Sequence, residues 1–369
     1  MPTSSPSHYR RTDRRRAVAA RWFPRRRRGR GFTLTELLVV ISIIAILVAL
    51  TSVAVVTALT FARQTRVKTE VDALDLAVKS FQERYGAYPP SDFRTLGSNP
   101  DLKQFVAKAF PRYDLTNLTN DLRATGIDFV NFRPDQALVF WLNGFSNDPQ
   151  APFVTIDGYQ VRGGGVQTDD GTPTGKPVVA SRTPLFEFDT SRLAHVGNTV
   201  TPAPADPNAR EYPSYFPQGS PTDDTGAPYV YISSRSYGEL LPDPPTGATT
   251  RPVFNADGPT AAWQEIFINA GPAAPYALDQ DNNLSLDIDN DGIPDPGDGW
   301  VNPDSFQIIA AGADNKYGGK IDSLGNKNNG ASPARLYPSG AQYDTSPEMV
   351  DEDNVTNFSD SASIGDARP

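Results

Sequence analysis

The chain has 369 residues, a formal net charge of −9, no cysteine, and histidine only at positions 8 and 195. That length allows one large domain or two ordinary ones. The missing thiols and scarce imidazoles exclude disulfide staples, Cys–His catalysis and zinc sites built on Cys or His, and they leave Ser–His chemistry to His195 alone. His195 lies in Arg-Leu-Ala-His-Val-Gly, a strand-to-turn context that reads as structural.

The charge is unevenly placed. Residues 1–31 hold eleven arginines and a single acid, Asp13, whereas the rest holds 42 acidic and 23 basic side chains. A basic arm directly before an apolar run follows the positive-inside rule, which puts the arm in the cytoplasm and the acidic body outside. A polyanionic body repels nucleic acid and attracts divalent cations.

From Leu37 to Ala62 there is no charged residue. As a helix this stretch reaches roughly 39 Å, enough to cross a hydrocarbon core of about 30 Å. It is longer than the core of a secretory signal, so it reads as a retained anchor. Glu36, at its mouth, is the one charge between Phe32 and Ala62. A carboxylate at the edge of a membrane span is costly and points to a function.

The helix continues beyond the apolar run. Val67, Val71, Leu74, Val78, Phe81 and Tyr85 recur at spacings of four and three, with Lys68, Glu70, Asp72, Asp75, Lys79 and Glu83 mostly off that stripe. The pattern predicts one helix from about Phe32 to Arg84. Residues 32–62 are its transmembrane half and 63–86 its amphipathic half. Gly86 and Pro89-Pro90 end it. The stripe reads as core packing against a sheet.

Residues 87–369 read as an α+β body rich in turn formers, the chain holding 34 Pro and 29 Gly. β-type runs are expected at Ala137–Leu142, Pro184–Asp189, Tyr229–Ser233, Glu265–Asn269 and Phe306–Ala311. Together they predict an antiparallel sheet lying on the long helix. Residues 96–135 read as a mixed helical and loop insertion, and 157–180, 198–226 and 242–260 as long surface loops. No internal repeat is present.

Residues 279–298 contain seven Asp, three Asn and no Lys or Arg. Set against a twelve-residue EF-hand loop, Asp287, Asp289 and Asp291 take positions 1, 3 and 5. Gly292 makes the turn, Ile293 offers a carbonyl, Asp295 sits at 9 and Asp298 at 12. Calcium takes about six to eight oxygens, which alternate residues in a tight turn supply. Asp at 12 leaves bidentate closure open, and no flanking helices mark a sensor. A hydrated acidic loop without an ion is the alternative.

Gly31-Phe32-Thr33-Leu34-Thr35-Glu36-Leu37 followed by an apolar helix resembles the processing signal of type IV pilins and type II secretion pseudopilins. The resemblance implies cleavage between Gly31 and Phe32 by a membrane peptidase that also methylates the new N-terminus. Residues 1–31 are then a removed leader. Cleavage leaves a positive amine at Phe32. Glu36 of one subunit can neutralise it in the next, which gives a helix bundle its axial register. Glu36 could instead only snorkel to the headgroups or serve the peptidase.

Weaker likenesses follow downstream. Arg84-Tyr85-Gly86-Ala87-Tyr88-Pro89 resembles the helix end of major pseudopilins, and Asp224–Tyr231 resembles a strand entry of theirs. Phe306–Asp314 with Gly318-Gly319, and Asp353–Phe358, look like the last strand and the loops that bind calcium in that family. The resemblance therefore implies a second calcium site at Asp314, Asp353 and Asn354. The body is larger than that of a standard major pseudopilin. One large minor class reaches this size, but it typically lacks the glutamate found here.

The resemblance implies a non-enzymatic structural subunit of a type II secretion pseudopilus. It is expected to be single-pass in the inner membrane, with its C-terminal domain periplasmic before assembly. Its implied partners are copies of itself, other pseudopilins, the prepilin peptidase, the inner-membrane assembly platform and lipid, but not nucleic acid. Alternatives are a minor type IV pilin for adhesion or DNA uptake, and a membrane-tethered periplasmic enzyme or carbohydrate-binding protein. The last is allowed by the aromatic loop Tyr212–Phe216 and by acids such as Glu187 and Asp189.

Overall fold

The computed structural model describes residues 32–91, 100–127, 134–172, 175–195, 212–222, 226–237, 273, 275–280, 299–317, 335–340, 345–346 and 349–367. The chain divides into two compact units, Met1–Val55 and Val56–Pro369. The fold is α+β, an apolar N-terminal helix followed by further helices and mainly antiparallel sheets.

Helix α1 spans Leu34–Tyr85. Its segment Leu34–Ser52 is long and apolar enough to cross a membrane, and none of it is buried. The few hydroxyls there are satisfied locally. Ser42 Oγ donates to the Leu38 carbonyl at 2.8 Å and Thr51 Oγ1 to the Leu47 carbonyl at 2.9 Å. That is what an apolar solvent demands of a polar side chain. Gly86, at φ 79°, ends the helix, with its N–H on the Gln82 carbonyl at 2.7 Å.

In the second unit, the expected stripe is buried. Val71, Leu74 and Phe81 are fully enclosed, Val67 and Val78 nearly so, and Tyr85 is half-buried. Each such side chain contributes about 1.5–3 kcal/mol of burial. Helices α2 (Pro100–Ala109), α3 (Leu118–Ala124) and α4 (Pro134–Leu142) pack into the same core, where the Phe81 ring meets those of Phe105, Trp141 and Phe145.

The strands are short: β1 (Val161–Arg162), β2 (Gly165–Val166), β3 (Leu193–Ala194), β4 (Ser214–Tyr215), β5 (Val230–Ser233), β6 (Tyr276–Leu278), β7 (Gly299–Trp300), β8 (Phe306–Ala310), β9 (Arg335–Tyr337), β10 (Thr345–Ser346), β11 (Met349–Val350) and β12 (Val355–Thr356). The central sheet has the order β12-β8-β5 and is antiparallel. Its register sets Val230 opposite Ile309 and Tyr231 opposite Ile308.

Strand alternation divides its side chains between two cores. Tyr229, Tyr231, Phe306, Ile308 and Ala310 join the core around α1. Val230, Ile232, Ile309 and Ala311 join a second core with Tyr276, Tyr317 and Ile364. A second sheet, β7-β6-β9, contains one parallel pair, β6 with β9. Gln307 docks this sheet. Its Oε1 accepts the Tyr276 N–H at 2.8 Å, and its Nε2 donates to the Tyr276 carbonyl at 2.9 Å.

Two strand expectations are corrected. Ala137–Leu142 lies in helix α4, with all nine residues of that helix buried. A short, continuously apolar run has no period to choose by. Pro134 at the first helical position and Gly144 just past the end, at φ 85°, decide for helix. Pro184–Asp189 forms no ladder. Leu185 and Phe186 direct their N–H groups to the Leu142 carbonyl, at 2.9 and 3.3 Å, capping α4 instead. The alternation of that segment reflects Phe186 and Phe188 packing on Tyr215.

Residues 157–180 are more structured than a loop. They hold the β1–β2 hairpin and the bridges Tyr159↔Val179 and Thr168↔Pro177. The expected strand Glu265–Asn269 and the loop 242–260 lie outside the described residues.

Candidate functional site

At the N-terminus, Gly31 lies outside the described residues, and Phe32 is 81% exposed. Thr33 and Glu36 form a reciprocal cap. Thr33 Oγ1 accepts the Glu36 N–H at 3.2 Å, while Glu36 Oε2 accepts the Thr33 N–H at 2.8 Å and its hydroxyl at 2.9 Å. This is a capping box, which satisfies helix donors that have no intrahelical partner. The spacing Thr-Leu-Thr-Glu carried that signal in the sequence.

The structure brings Asp314 and Asp353 together. Asp353 ends a 3-10 turn, Asp351–Asp353, separated from β12 by Asn354, and Asp314 follows β8, the neighbour of β12 in the sheet. The Asp314 N–H donates to Asp353 Oδ2 at 3.2 Å, and the Lys316 N–H to Asp314 Oδ1 at 2.7 Å. Burial and then the nearby Asp314 charge raise the Asp353 carboxyl to about 6, outweighing the backbone N–H groups that pull it down.

Asp353 Oδ1, Asn354 Oδ1 and Thr356 Oγ1 are all buried without a hydrogen-bond partner among the described residues. Asn354 is fully enclosed, and its amide donates to Tyr276 Oη at 2.9 Å and the Tyr317 carbonyl at 3.1 Å. Gly312 lies so close that a Cβ there would stand 2.1 Å from Asp353 Cγ. Among the described residues no group of three or more His, Asp or Glu is placed to hold a metal. Asp287, Asp289, Asp291, Ile293, Asp295 and Asp298 lie outside the described residues, as do Gly318 and Gly319.

One polar cluster was not foreseen. Arg192 Nη1 and Nη2 meet Glu70 Oε1 and Oε2 at 2.7 and 2.6 Å, a two-pronged ion pair. Tyr215 and Tyr229 donate to the same carboxylate at 2.9 and 2.5 Å. Arg192 Nε also reaches the Phe216 carbonyl at 2.8 Å, and its guanidinium lies over the Tyr215 ring. Burial, then the Glu70 charge, raises both phenols. Glu70 looked like an ordinary polar flank of the α1 stripe, and nothing local in the sequence ties it to a residue 122 positions away. The cluster ties α1 to β4 and to the residues directly before β3 and β5.

The aromatic run Tyr212–Phe216 is interior: Tyr212, Tyr215 and Phe216 are all buried. Asp189 caps a 3-10 turn, accepting the Ser191 N–H at 3.0 Å and its hydroxyl at 2.7 Å, which holds its carboxyl low. His195 is exposed and directly follows β3.

Residues 26–52 match the prokaryotic N-terminal methylation motif. No curated protein and no solved structure matches the chain. The motif, with the apolar helix behind it, supports a type IV pilin-like protein, anchored in a membrane by that helix. It implies processing by a prepilin peptidase and pilin-like assembly.

Proposed function

We propose that this chain is a structural, non-enzymatic subunit of a type II secretion pseudopilus. It waits in the inner membrane with its body periplasmic, loses residues 1–31, and joins copies of itself and other pseudopilins on the inner-membrane assembly platform. The fibre pushes folded cargo through an outer-membrane pore. One observation carries this reading. A methylation motif leads into a lipid-length apolar segment, Leu34–Ser52, whose single acid, Glu36, lies in the first turn of α1. Pairing Glu36 with the Phe32 amine of a neighbour neutralises two charges that lipid would otherwise penalise.

Calcium fits the Asp314–Asp353 pair. The buried, unpartnered oxygens of Asp353 and Asn354 are the kind of donor it takes, and carbonyl or amide oxygens can complete its shell where a third acid is lacking. Asp314, Asp353 and Asn354 would hold the ion, which would neutralise the acid pair and stiffen the loops without a disulfide. The loop Asp287–Asp298 is proposed as a second site on its ligand spacing alone.

The chain's lack of cysteine makes the test clean. Cysteines introduced at Thr35 and Leu38 should crosslink into ladders of dimer, trimer and higher species in cells. Only monomers would favour the tethered enzyme or binding protein. That second reading is weakened by the buried Tyr212, Tyr215 and Phe216, which offer no aromatic platform for a sugar. A minor pilin for adhesion or DNA uptake would also form crosslinks. It is separated by whether secretion or surface piliation fails when the gene is deleted.

A further inference from the structure

Arg63 is the first charged residue after the uncharged run from Leu37 to Ala62. Its Nη1 donates to the Ala313 carbonyl at 3.1 Å and its Nη2 to Asn315 Oδ1 at 2.8 Å. Those two acceptors stand on either side of Asp314. Asn315 has φ 59°, in the left-handed region, and Ser220 Oγ shares its Oδ1 at 3.0 Å.

From the other side the same loop is pressed onto Asp353, through the Asp314 N–H and the close approach of Gly312. The segment 312–316 is thus clamped between α1 and the Asp351–Asp353 turn. The strand after that turn is fastened to α1 separately. Lys68 Nζ reaches the Thr356 carbonyl at 3.1 Å, and Asn357 Nδ2 reaches Asp75 Oδ1 at 2.9 Å.

We propose that Arg63 is a positioning residue that couples cation occupancy of the Asp314–Asp353 pair to helix α1. The inference rests on reading that pair as a cation site. An arginine fork holding acceptors on both flanks of Asp314 fixes the loop before the ion arrives, so less ordering is charged against binding. Linkage is reciprocal: if Arg63 strengthens cation binding, the cation must strengthen the docking of Arg63. The turns of α1 that follow the apolar run are then held to the body more firmly when calcium is bound.

Charge and geometry predict opposite behaviour for lysine. Arg63→Lys keeps the charge but cannot span two acceptors. The test uses the processed full chain in detergent micelles, with calcium titrated by calorimetry and amide exchange followed at 58–66 and 310–317. In the unsubstituted chain calcium should slow exchange in both segments, and Asp353→Asn should abolish that response, separating this pair from the 287–298 loop.

Arg63→Lys and Arg63→Ala should both bind calcium about tenfold more weakly at the Asp353-dependent site and lose the response at 58–66. Binding and exchange unchanged in both variants, or a full response in Arg63→Lys, would overturn the coupling. No Asp353-dependent calcium response in the unsubstituted chain would overturn the cation reading itself, and the coupling with it.

Discussion

Thr33 and Glu36 hold each other at the mouth of the apolar helix, the Glu36 carboxylate accepting both the N–H and the hydroxyl of Thr33. The geometry shows the local cap; the proposed pairing with a neighbouring subunit would be a second, separable task for the same acid. Glutamine can fill the same place in a capping box but carries no charge. In the processed monomer, Glu36→Gln should leave amide exchange at 34–38 close to native. Thr33→Ala should loosen that first turn by about 0.5–2 kcal/mol. Equal loosening by both substitutions would mean that charge, and not capping, starts the helix.

Breaking the Glu70–Arg192 pair should be strongly destabilising to the second unit. Both side chains are 16% exposed, so solvent screens them weakly. Arg192→Ala leaves Glu70 as a buried charge held only by two phenols, and should cost about 3–5 kcal/mol by chemical denaturation. Removing both members should cost less than the sum of the single losses. A strictly additive double-mutant cycle would show that the two do not interact.

Asp353 gives a pH signature. Without a cation, its folded carboxyl keeps a proton up to about pH 6, whereas the unfolded group releases it near an ordinary carboxylate value. Between those limits the folded state binds more protons, so stability falls as pH rises through about 4 to 6. Asp353→Asn should flatten that slope. Calcium should raise the melting temperature more at pH 7 than at pH 4.5, because the proton occupies the carboxylate at the lower pH. The same calcium shift at both values would remove Asp353 from the site.

Gly312→Ala tests the site by shape alone. The added methyl would overlap the Asp353 carboxyl, so the loop or the turn must move. A cost of about 1–3 kcal/mol is expected, together with loss of the calcium-dependent part of the melting shift. A variant that melts and responds to calcium like the parent would mean that Gly312 and Asp353 do not approach in solution.

Much of the architecture could be read from periodicity. The α1 stripe from Val67 to Phe81 appears where its helical period puts it, and the strands at Val230–Ser233 and Phe306–Ala310 form at short apolar runs rich in β-branched and aromatic residues. Ala137–Leu142 had no period, and its Pro and Gly punctuation was the better guide. Leu185–Asp189 alternated for packing alone, its N–H groups going to a helix end.

The candidate sites divide in the same way. The acid at Glu36 stands out because no other residue between Phe32 and Ala62 is charged, and Asp314 and Asp353 do come together. The Arg63 clamp and the Glu70–Arg192 pair depend on long-range contacts with no local signature.

The central claim is that Glu36 pairs with the N-terminal amine of an adjoining copy. The most direct measurement is the yield of sedimentable fibres from cells making Glu36→Gln chains, with leader removal followed on the same samples. Glutamine preserves the cap and removes only the charge. The account predicts that residues 1–31 are still cleaved while fibre yield falls by roughly tenfold or more, as a critical concentration raised about tenfold (about 1.4 kcal/mol per added subunit) would cause when subunit supply is near that threshold. Native fibre yield from fully processed Glu36→Gln chains would contradict it.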